Sequence, residues 1–350
     1  MVTMKNLTMF FFSTIFVSFM CNPAFAAKDI YGCSNFANFK SSSRDFEEHI
    51  QKAADTKPQS TASIKLEGIL PSDPRFIESE KSLDDMDIIQ IATFSWASNI
   101  SPKKSKNISK KYIISWVSTY NPNFNPIDEA KLGQLIKSYF IIKDEFSSTE
   151  NHKIKKFLSA WGNGYLVRMS HSDDSSQWKS NWQSNRIRLV TLIAIAIDDD
   201  LMFQKIKKYY IKQIQNNIYH DGSTWDFRER DAIKYVIADL DALIDTSLAA
   251  RGKGEDWYNL KSNTGSSLSA AINWMLPYAT GSKKHLEFAN TNVKFDAIRA
   301  KAKVKGFSGY FKPETAANLF WIASLFQPKL QDIAINIRPS HPFFYRQCYE

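Results

Sequence analysis

The sequence predicts an all-α fold, either a helical bundle or a toroid of helical hairpins. Three observations carry this. Apolar residues recur at three- and four-residue spacing from about residue 81 onward. No period-2 strand of any length interrupts them, and glycine and proline number only 12 each in 350 residues, too few for the turns of a β-sandwich or barrel. The breaks between periodic stretches are short, as antiparallel neighbours require.

Residues 1–26 read as a secretory leader. Lys5 gives the positive start, an apolar run follows from Leu7 to Met20, and Ala24-Phe25-Ala26 is a small-x-small cleavage signature. The run is too short, and too broken by Ser and Thr, for a membrane anchor. Removing 26 of the 350 residues leaves 324, and losing Lys5 lowers the net charge from +9 to +8. The expected address is the periplasm or the exterior.

Residues 27–80 are polar and irregular, with Ser41-Ser42-Ser43 and Pro58 marking loops. They are expected to lie over the main body, which is a single domain over 81–350. Helical periodicity covers 83–97, 111–119, 129–144, 153–168, 185–197, 201–219, 229–250, 266–278 and 314–326. The stretch 187–197 is nearly all apolar, too short to span a bilayer, and reads as a buried inner helix.

Hydrophobic residues at 43% and charged residues at 23% exclude wholesale disorder. The basic balance favours a polyanion: nucleic acid, anionic lipid or acidic polysaccharide. Export disfavours cytoplasmic nucleic acid and favours a polymer outside the inner membrane. Two cysteines survive cleavage, Cys33 and Cys348. In an oxidising compartment they are expected to bridge the two ends, the alternative being two unrelated thiols. No HExxH, EF-hand loop or glycine-rich phosphate loop is present, so no metal or cofactor is implied.

The most informative stretch runs from His220 to Tyr235. Asp221-Gly222 is a turn, and Ser223 or Thr224 can cap the helix after it. On one continuous helix at about 100° per residue, Ile233, Val236, Ile237, Leu240, Leu243 and Ile244 share a side. Arg228, Tyr235 and Asp239 form a stripe opposite, with Arg228 and Tyr235 two turns apart. The surroundings are rich in tryptophan, Trp178, Trp182, Trp225 and Trp257, as where sugar rings stack. A solvated helix face is the plainer alternative.

Here the sequence resembles the alginate lyase family, polysaccharide lyases of the α/α-toroid type. The family frame, an Arg and a Tyr seven residues apart, is matched by Arg228-Glu229-Arg230-Asp231-Ala232-Ile233-Lys234-Tyr235. Similar stretches are Tyr120-Asn121-Pro122, Asn125-Pro126-Ile127, Asp256-Trp257-Tyr258, Gly265-Ser266-Ser267-Leu268, Trp274-Met275-Leu276-Pro277-Tyr278-Ala279, and His285-Leu286-Glu287-Phe288 followed by Phe295-Asp296 and Arg299. Together they span roughly 110–325. The family's Asn-Asn-His on the preceding inner helix corresponds to 180–186, which holds no His. Asn181 is the candidate amide, and Gln183 or Asn185 stands where the His is expected.

The resemblance implies an (α/α) toroid and β-elimination on a polyuronate. Tyr235 acts as base and acid, while Arg228 and Asn181 neutralise the C5 carboxylate. One tyrosine suffices when both protons move on the same face, as on mannuronate or glucuronate, so the missing His points to those substrates. The candidate substrate contacts are Gln183, Asn185, Trp182, Trp225, His220, Tyr258 and His285. Five of these have a plainer reading: core packing for the tryptophans, a turn contact for His220, a helix-end cap for Tyr258, a structural hydrogen bond for His285. The expected partner is an anionic polysaccharide, without nucleic acid or a membrane span after leader removal, and the expected state is a monomer. The alternatives are a non-catalytic periplasmic polysaccharide-binding protein of the same fold and a scaffold without a sugar site.

Overall fold

The computed structural model describes residues 43–342. The expected leader and both cysteines of the expected bridge, Cys33 and Cys348, lie outside the described residues. Within them the chain forms fifteen α-helices, and the only β pairing is two isolated bridges, Ile218 with Thr224 and Leu286 with Tyr310. The helices are α1 Ser43–Ala54, α2 Pro74–Leu83, α3 Asp85–Ala97, α4 Pro102–Thr119, α5 Gly133–Ile142, α6 Ser148–Ser170, α7 Asn181–Ala196 and α8 Asp200–Asn217. They continue as α9 Trp225–Arg230, α10 Ile233–Arg251, α11 Leu268–Trp274, α12 Leu276–Ala279, α13 Lys294–Lys301, α14 Ala317–Ala323 and α15 Gln331–Ile337.

Successive hairpins build two layers. In the inner row α3 packs on α5, α5 on α7, α7 on α10 and α10 on α14. The outer partners are α4 against α3, α6 and α8 against α7, and α15 against α14. The inner position of α7 follows from its sequence: from Ile187 to Ala196 every residue except Arg188 is buried, so neighbours must cover it on all sides. Starts are set by side-chain caps. Ser147 and Glu150 form a capping box on α6, Asp199 caps α8, Thr224 caps α9 and Ser267 caps α11.

The expectation of an irregular 27–80 is corrected for its described part, which contains α1 and α2. α1 is polar except at Phe46, Ile50, Ala53 and Ala54, of which the first three, spaced four and three apart, are buried; so few apolar positions hide a helix in sequence. Between these helices the backbone is held by side-chain acceptors of α2 and of the main body. Asp85 Oδ2 accepts from Gln59 N at 2.7 Å, Ser79 Oγ from Lys65 N at 2.9 Å, and Asp128 Oδ1 from Leu66 N and Glu67 N at 2.8 Å. Such acceptors stand in for a sheet or helix partner.

One buried carboxylate joins the hairpins. Glu129 accepts from Tyr120 Oη at 2.8 Å, Asn123 N at 2.9 Å, Phe124 N at 3.1 Å and Trp161 Nε1 at 2.7 Å, and also from Tyr165 Oη. Burial pushes its pKa up, and these donors pull it back.

The expected continuous helix over 229–250 is broken. α9 stops at Arg230, Asp231 takes a left-handed conformation at φ 48, and Ala232 is extended before α10 begins. Aspartate tolerates that region better than most residues. The break is secured from 285–292. Asp231 O accepts from Phe288 N at 2.8 Å and lies 2.9 Å from His285 Nε2, while Asp231 Oδ2 accepts from Asn290 N at 2.9 Å. Glu287 then caps α10, accepting from Ile233 N at 3.1 Å and Lys234 N at 3.3 Å.

Candidate active site

The break separates Arg228 from Tyr235, so the single stripe expected to carry both does not form. Arg228 is on α9 and lies half in solvent. Its Nε donates to Ser223 Oγ at 3.1 Å, its Nη2 pairs with Asp221 at 3.3 Å, and its guanidinium covers the Tyr219 ring at 3.5 Å. Asp239, the third member of that stripe, is buried and accepts from Ser184 of α7.

Two other arginines meet Tyr235, which is half-buried near the start of α10. Arg299 Nη1, from α13, donates to Tyr235 Oη at 3.0 Å. Arg230, the last residue of α9, sets its guanidinium 3.9 Å from the centre of the Tyr235 ring. Phe288 and Phe307 meet the ring edge-on at 5.9 and 6.3 Å. Burial pushes the Tyr235 pKa above that of free tyrosine, while Arg230 and Arg299 oppose the rise.

Behind the arginines stand two buried acids. Asp296 takes Arg230 Nη1 on both oxygens, at 2.7 and 2.8 Å, and faces Arg299 Nη1 at 3.4 Å. Asp226 lies 3.8 Å from Arg230 Nε and accepts the backbone N and Nδ2 of Asn181 at 2.7 and 3.0 Å. Burial pushes Asp226 up to about 7, with Arg230 opposing. Burial, and then the charge of Asp226, hold Asp239 well above the carboxylate range. A single polar chain thus runs from Asn181, at the first turn of α7, through Asp226, Arg230, Asp296 and Arg299 to the Tyr235 hydroxyl.

The other expected contacts divide. Trp182, Trp225 and His285 are half-buried, and His220 is exposed. His285 packs on Phe227 at 5.3 Å while its Nε2 faces the Asp231 carbonyl, which is the structural role. Gln183 is buried against Met169 Sδ and Arg186, and Asn185 donates to the Asn181 carbonyl at 2.9 Å. Neither is free to replace the missing histidine as a base. Tyr258 is corrected as a sugar contact: it is fully buried and stacked on Phe326 at 4.6 Å. Trp257 is fully buried too, so the tryptophan-rich surroundings are partly core.

Arg230 and Asp226 were given no role by sequence reasoning, and Arg299 and Asp296 appeared there only as matching residues. The available signal was a second arginine within the frame and a further Asp–Arg pair three residues apart near the C-terminal end of the resemblance.

The sequence profile of the alginate lyase family matches residues 37–285. In fold the chain is similar to an alginate lyase from Bacteroides ovatus, with a TM-score of 0.63 at 17% identity over 88% of this chain and 93% of that one. It is also similar to alginate lyase A1-III from Sphingomonas species A1, with a TM-score of 0.54 at 14% identity over 73% of this chain and 80% of that one. A variant of A1-III complexed with tetrasaccharide aligns equally well, at a TM-score of 0.54 and 14% identity over 73% and 80% of the two chains. No curated protein matches the chain significantly.

Proposed function

The chain belongs to the alginate lyase family, and from that premise we propose that it cuts a mannuronate- or glucuronate-containing polymer by same-face β-elimination at Tyr235. The observation that carries this reading is the Tyr235 hydroxyl held at 3.0 Å by Arg299, with Arg230 against its ring. A phenol so placed can lose and regain a proton beside two fixed cations.

The step balances on one residue. As phenolate, Tyr235 takes the C5 proton. The electron pair of that bond becomes the C4–C5 double bond, the C4–O4 bond breaks, and Tyr235 returns the proton to O4. The developing enolate needs positive charge near the C5 carboxylate. Arg299 has Nε and Nη2 to offer, since its hydrogen bonds to Tyr235 and Asp296 both use Nη1. Arg228, half exposed, is suited to meet the polymer's carboxylates first. Asn181 serves by anchoring Asp226 rather than by reaching the sugar, because it is 3% exposed and its backbone N and Nδ2 both hold that carboxylate. The absence of a free base in 180–186 favours same-face chemistry over removal of the proton from the opposite face.

The test is absorbance of the new double bond near 235 nm on polymannuronate, polyguluronate and glucuronan, with Tyr235→Phe in parallel. A rise on the first or third polymer, abolished by the substitution, supports the reading. No rise on any, with polymer still bound, would replace it by a non-catalytic polysaccharide-binding protein. We also propose that the protein works outside the inner membrane, for which the leader-like 1–26 speaks; N-terminal sequencing of exported protein, beginning at Ala27, tests this.

A further inference from the structure

A cavity of about 420 Å³ opens between the start of α10 and the segment 305–315, outside the Tyr235 site. Three lysines line it: Lys234 of α10, and Lys305 and Lys312. Its one carboxylate, Glu287, is taken up by the amides of Ile233 and Lys234. Lys305 and Lys312 are exposed and form no ion pair among the described residues. Lys234 Nζ donates to the Lys305 carbonyl at 3.2 Å and lies 4.2 Å from the Phe307 ring centre. The turn beside them is set by Gly306, whose φ of +80 disfavours any residue with a side chain.

The apolar side is Tyr310, 66% exposed, with Phe311 beside it. This rim is fixed to the loop that positions Tyr235. Glu287 N donates to Gly309 O at 3.0 Å and Phe311 N to His285 O at 2.9 Å. Phe307 links the two, meeting Tyr235 edge-on and Arg299 at 5.0 Å as well as Lys234 of the cavity lining. The cavity therefore adjoins the reaction centre without containing it. Unpaired cations, an exposed aromatic face and polymer-scale proximity are what a carboxylate-bearing sugar needs.

We propose that this cavity holds a uronate residue of the polymer other than the one that reacts, its carboxylate on Lys305 and Lys312 and its ring on Tyr310. The inference rests on the lyase reading for its ligand class. Its test is direct binding, by calorimetry, of mannuronate disaccharide and hexasaccharide to Tyr235→Phe protein, with and without Lys305→Ala/Lys312→Ala. The double substitution should weaken the hexasaccharide about tenfold, as two exposed ion pairs imply, and flatten its salt dependence. Lys305→Arg/Lys312→Arg should restore most of the loss. Unchanged hexasaccharide affinity, or sulfate competing as well as glucuronate at equal ionic strength, would overturn the proposal while a lyase that cuts polymer stands. Lysine-dependent binding by a wild-type protein that cuts no polyuronate would keep the cavity and sink the lyase reading.

Discussion

The guanidinium of Arg299 and the hydroxyl of Tyr235, 64 residues apart in the chain, meet at 3.0 Å. The same arginine faces buried Asp296 at 3.4 Å, so its position is fixed before any substrate arrives. A charge placed in advance costs no reorganisation during the reaction. Arg299→Ala is therefore expected to lower kcat about 100-fold, the scale of losing one preorganised donor. Arg299→Lys should recover only part, because an ammonium that takes the place of Nη1 beside Tyr235 and Asp296 has no second nitrogen to offer the substrate carboxylate. Initial rates with circular dichroism as a folding control decide it; an alanine variant with wild-type kcat would remove Arg299 from the mechanism.

The pH profile follows from the direction of the Tyr235 shift. Burial raises its pKa above the usual value near 10. On the proposed mechanism the reactive phenolate is then a minor species at neutral pH, and its fraction rises about tenfold per pH unit. A log plot of kcat/KM should climb with a slope near one through the mildly alkaline range. A plateau beginning near neutrality would assign the base to a group other than Tyr235.

The helical architecture was legible because it rests on local signals. The apolar run of α7 and the short breaks lie within a few residues of what they determine. The break at Asp231 was not legible. Nothing around 229–233 forbids a helix; the left-handed Asp231 is held by His285, Phe288 and Asn290, which come 54 to 59 residues later. The same long-range loop decides which arginine reaches Tyr235. Sequence spacing selected Arg228, seven residues away, whereas folding delivers Arg230 and Arg299. Tyr235 was selected by its family frame, which spans the break.

Arg228 and Arg230, two residues apart, should behave differently. Arg228 pairs with Asp221 where both side chains are nearly half exposed, so Arg228→Ala should change stability by no more than about 1 kcal/mol. Arg230→Met leaves buried Asp226 and Asp296 without their shared cation and should cost about 3–5 kcal/mol. Urea denaturation of the two variants measures the difference. Equal losses would mean that the Asp226–Arg230–Asp296 chain does not support the fold.

Glu129→Gln tests the junction of the hairpins. A carboxylate accepts all five donors that converge on it, from Tyr120, Asn123, Phe124, Trp161 and Tyr165. An amide has one acceptor oxygen, and its NH2 would face donors. The expected loss is about 3 kcal/mol or more, seen as a lower urea midpoint at unchanged slope. Retained stability would show that Glu129 is already protonated and that its environment prefers the neutral group.

Asp239→Asn should have the opposite character. Burial and the neighbouring Asp226 hold the Asp239 carboxyl above its ordinary range, so the folded protein carries it protonated at moderately acidic pH. An unfolded aspartate ionises near 3.9. Because the folded pKa is raised, the contribution to stability is complete below the unfolded value and is lost as pH climbs to the folded one. The neutral amide has no such dependence. Asp239→Asn should thus resemble wild type in stability near pH 4 and gain on it as pH rises toward neutrality, provided the amide keeps a hydrogen bond with Ser184. Thermal denaturation across that range reads the effect. Two parallel stability curves would mean that Asp239 titrates alike in the folded and unfolded chain.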